Sequence, residues 1–241
     1  MGNTEEAARG RGFSAPGPHP GRVRRRAYLR TMSDYPLRFA VDYPDRPLNR
    51  LTTLFRVFVA IPIVVLLSSI SGFSSAPYDE VGGQATTIVV GGVGLLFLPV
   101  LLMLVFREKY PRWWFDWNLQ LQRFANRVAA YMFLMDDRYP ATDEEQSVHL
   151  DYPYPDAPQE LNRALPLFKW LLAIPHYVVL AVLFLGVLIA LIISWFAILF
   201  TGRYPRGLFD YVEGVMRWHN RVIAYAFTLI TDRYPPFSLQ P

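Results

Sequence analysis

Residues 162–210 read NRALPLFKWLLAIPHYVVLAVLFLGVLIALIISWFAILFTGRYPRGLFD. The apolar run 165–200 within this stretch is interrupted only by Lys169 and His176. As one straight helix it would be about 54 Å long at ~1.5 Å per residue, whereas the hydrocarbon core of a bilayer is ~30 Å thick. The length, together with the repeat described next, predicts two short helices of roughly 17 residues joined by a tight turn near Leu185–Gly186. They form either a hairpin across a thinned membrane, a shallow hairpin, or a hairpin whose turn lies within the headgroups.

The sequence landmarks at both ends of this run also occur earlier in the chain. NR at 49–50 and AIP at 60–62 return 113 residues later, and YPR at 110–112 returns 94 residues later. The offset thus falls by 19 residues, so the earlier copy has a longer connection between its apolar segments. An internal repeat has to be recognised before a fold is assigned, because it sets the architecture.

The repeat predicts an all-α membrane protein made of two tandem copies, at 34–140 and 141–241. Each copy is predicted to hold a two-span transmembrane hairpin and a cytoplasmic, interfacial amphipathic helix. Lys and Arg are absent from the loop 74–85 and flank the opposite hairpin ends, so the positive-inside rule predicts a multi-pass protein of the plasma membrane with both termini cytoplasmic. The predicted spans are about 51–73, 86–106, 166–184 and 186–200, and the predicted interfacial helices are about 113–135 and 207–231.

Short extended segments precede the two copies. Residues 37–42 and 147–151 alternate between apolar and polar side chains and run into Tyr-Pro, a pattern typical of short strands. One strand from each copy is expected to pair with the other on the cytoplasmic side. In the first span of each copy, Pro62 and Pro175 remove an amide donor and clash with the preceding turn, which predicts a kink. Such a kink is a hinge or ligand site in some transporters, but more often it only shapes packing.

The basic charge of the chain is concentrated in its first 33 residues. This tail holds seven Arg and two Glu, whereas the other 208 residues hold 17 Lys and Arg against 18 Asp and Glu. It is expected to be disordered, either as a polybasic arm on an anionic membrane or as residues that precede the true start at Met32. The near-neutral remainder argues against nucleic-acid binding. The absence of cysteine excludes disulfides and Cys-ligated metals.

Six arginines near the cytoplasmic ends of the predicted spans are candidate contact residues. Guanidinium groups bind phosphate bidentately, so their side chains are predicted to contact membrane lipids, anionic ones above all, or a partner protein. The alternative is internal pairing, because Glu213 lies four residues before one of them. The six are Arg112, Arg123, Arg127, Arg206, Arg217 and Arg221.

His176 is the sole titratable group deep within an apolar run, and such groups in membranes are functional candidates by default. Ile63 occupies the matching position of the first copy, which favours the simpler interpretation of a polar side chain near the interface. No second histidine lies at metal-ligand spacing, and no nucleophile elbow, zinc motif or carboxylate pair occurs. The sequence therefore predicts no metal site, no cofactor and no enzyme activity.

Many residues of the second copy together resemble the pattern of a known family. They are Arg163, Leu171, Ala173–His176, Trp195, Ile198–Asp210, Arg217-Trp218, Asn220-Arg221, Ala224-Tyr225 and Thr231–Phe237. This pattern resembles the bacterial membrane family called domain of unknown function 4389, closely over 150–239 and more weakly over 35–140. The first copy departs from it at Ile63, at 106–108 and in its long Ser/Gly loop. The resemblance implies a polytopic membrane protein of a high-GC bacterium and implies no activity.

The sequence thus predicts an integral membrane protein of unknown biochemical activity with a structural, lipid-contacting or partner-contacting role, the partner being another protein or a second copy of the chain. The alternative is a small-solute transporter or channel subunit, because duplication and kinked helices occur in carriers. The predicted spans carry almost no polar residues to line a path, which favours the first hypothesis.

Overall fold

A computed structural model describes residues 35–70, 92–142, 144 and 146–241. The predicted basic tail at 1–33 and the loop 74–85 lie outside these residues. The described part is mostly helical. Its elements are β1 (Arg38–Val41), α1 (Arg50–Ile70), α2 (Gly92–Arg107), α3 (Arg112–Met132), β2 (Val148–Asp151), α4 (Ala157–Glu160), α5 (Pro166–Leu172), α6 (Ile174–Thr201) and α7 (Arg206–Ala226).

The main packing contacts arrange these elements in three layers. The most apolar helices, α1, α2, α5 and α6, form an outer layer that packs against α3 and α7. On their other side, α3 packs against β2 and α7 packs against β1. The helices α3 and α7 are thus the middle layer between the apolar helices and a β ribbon.

The two strands pair antiparallel, so the predicted pairing of one strand from each copy is confirmed. Ala40 lies opposite His149, and Arg38 lies opposite Asp151. Alternation along each strand turns one face of the ribbon towards α3 and α7 and leaves the other exposed. The side chains on the buried face are Phe39, Val41, Val148 and Leu150.

The predicted turn near Leu185–Gly186 is wrong, because α6 continues through it as one helix of 28 residues. At ~1.5 Å per residue α6 is about 42 Å long, and it is the one described helix that alone is long and apolar enough to cross a membrane. A lone glycine in a run of good helix formers does not end a helix. A turn there would also leave helix-end amide and carbonyl groups unpaired among apolar side chains.

The chain instead breaks at Ala173, between α5 and α6. Pro175 follows in the first turn of α6, where a missing amide donor costs nothing. In the first copy, α1 bends by 56° between Arg50–Arg56 and Phe58–Leu67, one turn before Pro62. The ends of the predicted spans that fall within 71–91 lie outside the described residues.

Gly186 is a point of close helix approach. A Cβ atom at this position would collide with the Tyr211 hydroxyl and lie 3.2 Å from Cζ of that ring. The hydroxyl donates a hydrogen bond to the carbonyl oxygen of Leu183 at 2.9 Å. The glycine therefore lets a tyrosine of α7 lie directly on the backbone of α6.

Helices occur at both positions where interfacial helices are predicted, and both end earlier than expected. Helix α3 ends at Met132 and α7 at Ala226 because the chain then turns through Leu134 and Leu229, whose φ angles are 64° and 58°. Of the 21 residues of α7, 14 are buried, and the charged residues Glu213, Arg217 and Arg221 are among them. The middle layer therefore contains charged side chains, whereas the outer faces of α1, α5 and α6 expose apolar ones.

The contact between Gly186 and Tyr211 gives a direct test of the α6–α7 packing. Gly186→Ala is expected to lower the free energy of unfolding by about 1–3 kcal/mol through overpacking. Tyr211→Phe removes the colliding hydroxyl, so the double variant should lose less than the sum of the two single losses. Thermal unfolding in detergent, followed by tryptophan fluorescence, measures all three.

Gly207→Ala is the matched control, since nothing lies within 4 Å of a Cβ atom at that position. Its stability should stay within about 0.5 kcal/mol of the parent. Strict additivity of the Gly186 and Tyr211 substitutions would contradict the close approach.

Candidate functional site

Arg217, near the middle of α7, binds three parts of the chain at once. Its side chain is buried, with 5% exposed, and forms an ion pair with Glu213 one helical turn earlier. Nε donates to the carbonyl oxygen of Phe39 on β1 at 3.1 Å, and Nη1 donates to that of Leu239 at 2.9 Å. The guanidinium group therefore joins α7 to the ribbon and to the C-terminal segment.

Arg221 lies one turn further along α7 and is 1% exposed. Its Nη1 donates to the Ser238 carbonyl oxygen at 3.2 Å, and Nη2 donates to that of Gln240 at 2.8 Å. Burial, and then the neighbouring Arg217 charge, lower the pKa of this guanidinium. The side chain of Arg221 therefore holds residues 238–240 against α7.

The matching arginines of α3 also bind backbone carbonyl groups within the chain. Arg123 Nε donates to Leu150 of β2 at 2.9 Å, and its guanidinium lies 3.3 Å from the Asp151 carboxylate. Arg127 Nη1 donates to the carbonyl oxygen of Ala141 at 2.6 Å. Four of the six predicted contact residues are thus engaged internally, and lipid contact by Arg217 or Arg221 would require these bonds to break.

Arg112 and Arg206 behave differently, because both are exposed at helix N-termini. The Arg206 guanidinium lies 4.4 Å from the centroid of the Tyr43 ring and 3.2 Å from the Asp210 carboxylate. The Arg112 guanidinium lies 5.4 Å from the centroid of the Tyr154 ring. Stacking on an aromatic face orients a guanidinium while leaving its edge donors available to an anion.

Each of these arginines belongs to a compact aromatic corner. Corner 1 consists of Tyr110, Arg112 and Tyr154, and corner 2 consists of Tyr204, Arg206 and Tyr43. The Tyr43 hydroxyl donates to the Tyr204 carbonyl oxygen at 2.6 Å, and the Tyr154 hydroxyl donates to the Tyr110 carbonyl oxygen. Burial raises the pKa of Tyr110, which therefore stays a neutral hydroxyl and donates to the Thr228 carbonyl oxygen.

His176 is fully buried at the start of α6. Its Nδ1 accepts a hydrogen bond from Trp218 Nε1 at 3.1 Å, and its ring stacks on Phe237 with centroids 4.0 Å apart. Tyr234 approaches the same ring at 4.8 Å. The side chain thus docks the C-terminal segment and α7 onto α6.

Arg56 and Lys169 are buried cations that are not among the predicted contact residues. Each binds the segment that follows the long amphipathic helix of its own copy. Arg56 Nη1 donates to the Asp136 carbonyl oxygen at 2.7 Å and its guanidinium lies 4.5 Å from the Tyr131 ring centroid. Lys169 Nζ donates to the Thr231 carbonyl oxygen at 2.8 Å, pairs with Asp232, and lies 5.3 Å from the Tyr225 ring centroid. The sequence feature that could have identified these two residues is a cation at the same position of both copies.

Asn126 and Asn220, which match at an offset of 94 residues, face each other across the middle layer. Each amide nitrogen donates to the other amide oxygen, at 2.8 and 2.7 Å. Each also donates to the carbonyl oxygen one turn earlier in its own helix. These two equivalent residues are the direct polar contact between α3 and α7.

Residues 164–238 match the family model described as Domain of unknown function (DUF4389). The match confirms the resemblance seen in the second copy. It covers α5, α6, α7 and the segment that packs on His176. No curated protein and no solved structure matches the chain. The family description carries no activity, so the function has to be argued from the geometry.

The internal role of Arg217 predicts a large loss of stability on substitution. Arg217→Gln leaves Glu213 buried without its cation, which should cost about 3–5 kcal/mol in the free energy of unfolding. Arg206→Gln is the matched control, since its ion pair is exposed and should be worth about 0–1 kcal/mol. Thermal unfolding in detergent measures both, and equal losses would contradict the internal role.

Proposed function

We propose that the protein is an integral membrane protein whose two corners contact anionic lipid headgroups at the cytoplasmic face of the plasma membrane. Its role on this proposal is structural: it binds lipid and shapes or organises the membrane surface, without catalysis. The observation that carries the proposal is the direct adjacency of exposed, aromatic-stacked arginines and exposed apolar helices.

The exposed apolar surface supports a membrane location. Large apolar side chains are exposed along α1, α5 and α6, and contiguous exposed apolar surface of this kind marks a contact site for a membrane or a partner protein. Phe200 at the end of α6 is 77% exposed, and Trp113 at the start of α3 is 68% exposed. Aromatic side chains at the ends of apolar helices suit the boundary between acyl chains and headgroups.

The corners sit where these apolar helices end. Arg206 follows α6 by five residues and its side chain is 65% exposed. Arg112 follows α2 by five residues in the same way. A guanidinium at such a boundary binds phosphate through paired hydrogen bonds, and each cation near an anionic surface contributes about 1 kcal/mol.

We also propose that the two sequence copies are a folded tandem duplication related by an approximate two-fold axis. The axis would pass between Asn126 and Asn220 and between Ala40 and His149, which are equivalent pairs that contact each other. The matching contacts of Arg56 and Lys169 and the matching corners support it. On this proposal the leading strand of each copy packs on the amphipathic helix of the other copy, which interlocks them.

The lipid role predicts that the corner arginines determine the preference for anionic lipid. The double variant Arg112→Gln/Arg206→Gln should weaken the affinity for phosphatidylglycerol by about tenfold or more, because two contributions of about 1 kcal/mol are lost. The measurement is lipid exchange in nanodiscs of phosphatidylcholine with increasing phosphatidylglycerol, read from quenching of tryptophan by brominated phosphatidylglycerol.

Arg38→Gln removes one charge and is the matched control for each of the single variants Arg112→Gln and Arg206→Gln, because Arg38 is exposed on the ribbon, in the opposite layer. It should leave the preference for phosphatidylglycerol unchanged. An equal loss in the control and in either single variant would show that net charge alone is responsible and would contradict contact at the corners. Solute flux through proteoliposomes of the parent protein would favour the transporter hypothesis instead.

A further inference from the structure

We infer that α6 does not cross the membrane but lies within the cytoplasmic leaflet, parallel to the surface, with both of its ends on the cytoplasmic side. This inference rests on the proposed membrane location and deepens it: the partner of the exposed face of α6 is the acyl-chain region of a single leaflet. Four observations lead to it.

First, the apolar run begins at one corner and ends at the other. Arg163, just before α5, pairs with Glu108 beside corner 1 at 2.6 Å. At the far end, the carbonyl oxygen of Gly202 beside corner 2 accepts a hydrogen bond from the Leu48 amide at 2.8 Å. The carbonyl oxygen of Phe200 accepts a hydrogen bond from Arg50 Nη2 at 3.2 Å.

These two ends are equivalent positions of the sequence repeat. Arg50 matches Arg163, and Gly202 matches Glu108, and the last two share a left-handed backbone with φ of 72° and 49°. If the approximate two-fold axis is normal to the membrane, equivalent positions lie at the same depth. The helix that connects these two positions then lies parallel to the membrane plane.

Second, α7 runs alongside α6, with its axis antiparallel to that of α6. Tyr211 bonds to Leu183, and Trp218 bonds to His176. A step of seven residues forward along α7 therefore corresponds to a step of seven residues backward along α6. Two contacts that lie seven residues apart on both helices keep the axes of α6 and α7 close to antiparallel. Whatever tilt α6 has in the membrane, α7 has nearly the same tilt.

Third, the far side of α7 is polar. It carries the Glu213–Arg217 ion pair, and beyond it lies a two-stranded ribbon that exposes Arg38, Asp42 and Asp151. If α6 crossed the bilayer, the ribbon would be held at the depth of the acyl chains. Charged side chains at that depth cost about 2.5–3.5 kcal/mol each, and exposed strand edges do not occur there.

Fourth, the exposed face of α6 is apolar along its length. The stripe follows helical spacing and contains Val178, Val182, Leu185, Ile189, Phe196 and Phe200. A helix in the plane of a leaflet buries such a face by ~5–10 Å and needs a polar surface opposite. Helix α7 and the ribbon supply that polar surface.

The chain has no cysteine, so single cysteines report its topology without a background. Ala164→Cys precedes α5 and Gly207→Cys follows α6, and both positions are exposed. A membrane-impermeant maleimide should label both in inside-out vesicles and neither in right-side-out vesicles. A crossing helix would give one labelled position in each preparation and would overturn the inference.

Depth measurements provide the second readout. Val178→Cys, Ile189→Cys and Phe200→Cys, labelled with a small fluorophore in liposomes, are quenched by nitroxide lipids placed at shallow and deep positions. The in-plane helix predicts the same depth at all three. A deep centre with two shallow ends overturns it, and so does the absence of quenching together with crosslinking between two copies, which would mean that a second chain covers the face.

Extraction with alkaline carbonate separates this inference from the proposed function. Release of the protein from membranes would contradict the membrane location and the in-plane helix together. Retention in the membrane with labelling on opposite sides would contradict the in-plane helix alone.

Discussion

The burial of a charged stripe on α7 is the constraint on which the rest of the structure depends. Glu213, Arg217 and Arg221 sit inside the protein, where unpaired charges would be strongly destabilising. Their partners are the β1 backbone and the carbonyl groups of residues 238–240. The ribbon and the C-terminal segment are therefore required to cover this stripe, and they define the polar side of the protein.

The opposite side follows from the same arrangement. Because α7 turns its polar stripe towards the ribbon, its apolar side is free to pack on α6 and α5. The close approach at Gly186 and the ring stack on His176 hold that contact. The outer face of α6 then has nothing but apolar side chains to present, with arginines only where the run begins and ends. On the proposed membrane location, a protein with this arrangement fits one leaflet, with the corners at headgroup depth.

Local patterns in the sequence predicted much of the fold. Alternation before Tyr-Pro located both strands, and the repeat placed one in each copy so that their pairing could be anticipated. Periodicity located α3 and α7, although the left-handed residues Leu134 and Leu229 that end them leave no signal in a single sequence. The family match over 164–238 agrees with the residues recognised there.

Two predictions depended on surroundings that periodicity does not report. The turn near Gly186 was inferred from the thickness of a bilayer, which limits the length only of a helix that stands upright. The arginine stripe has the same spacing whether it faces headgroups or a β ribbon, so the spacing alone left lipid contact and internal pairing both open for Arg217 and Arg221, which are buried and bonded to backbone carbonyl groups. Arg112 and Arg206 differ because they precede the stripe, at helix N-termini that remain exposed.

The orientation of α6 is the quantity that tests this account most directly. Protein labelled with ¹⁵N-alanine and reconstituted in mechanically aligned bilayers reports it through the amide shifts of Ala181, Ala190 and Ala197, which all lie within α6. The account predicts shifts at the extreme that corresponds to N–H bonds perpendicular to the membrane normal. Shifts at the opposite extreme, with the N–H bonds along the normal, would mean that α6 crosses the membrane and would contradict it.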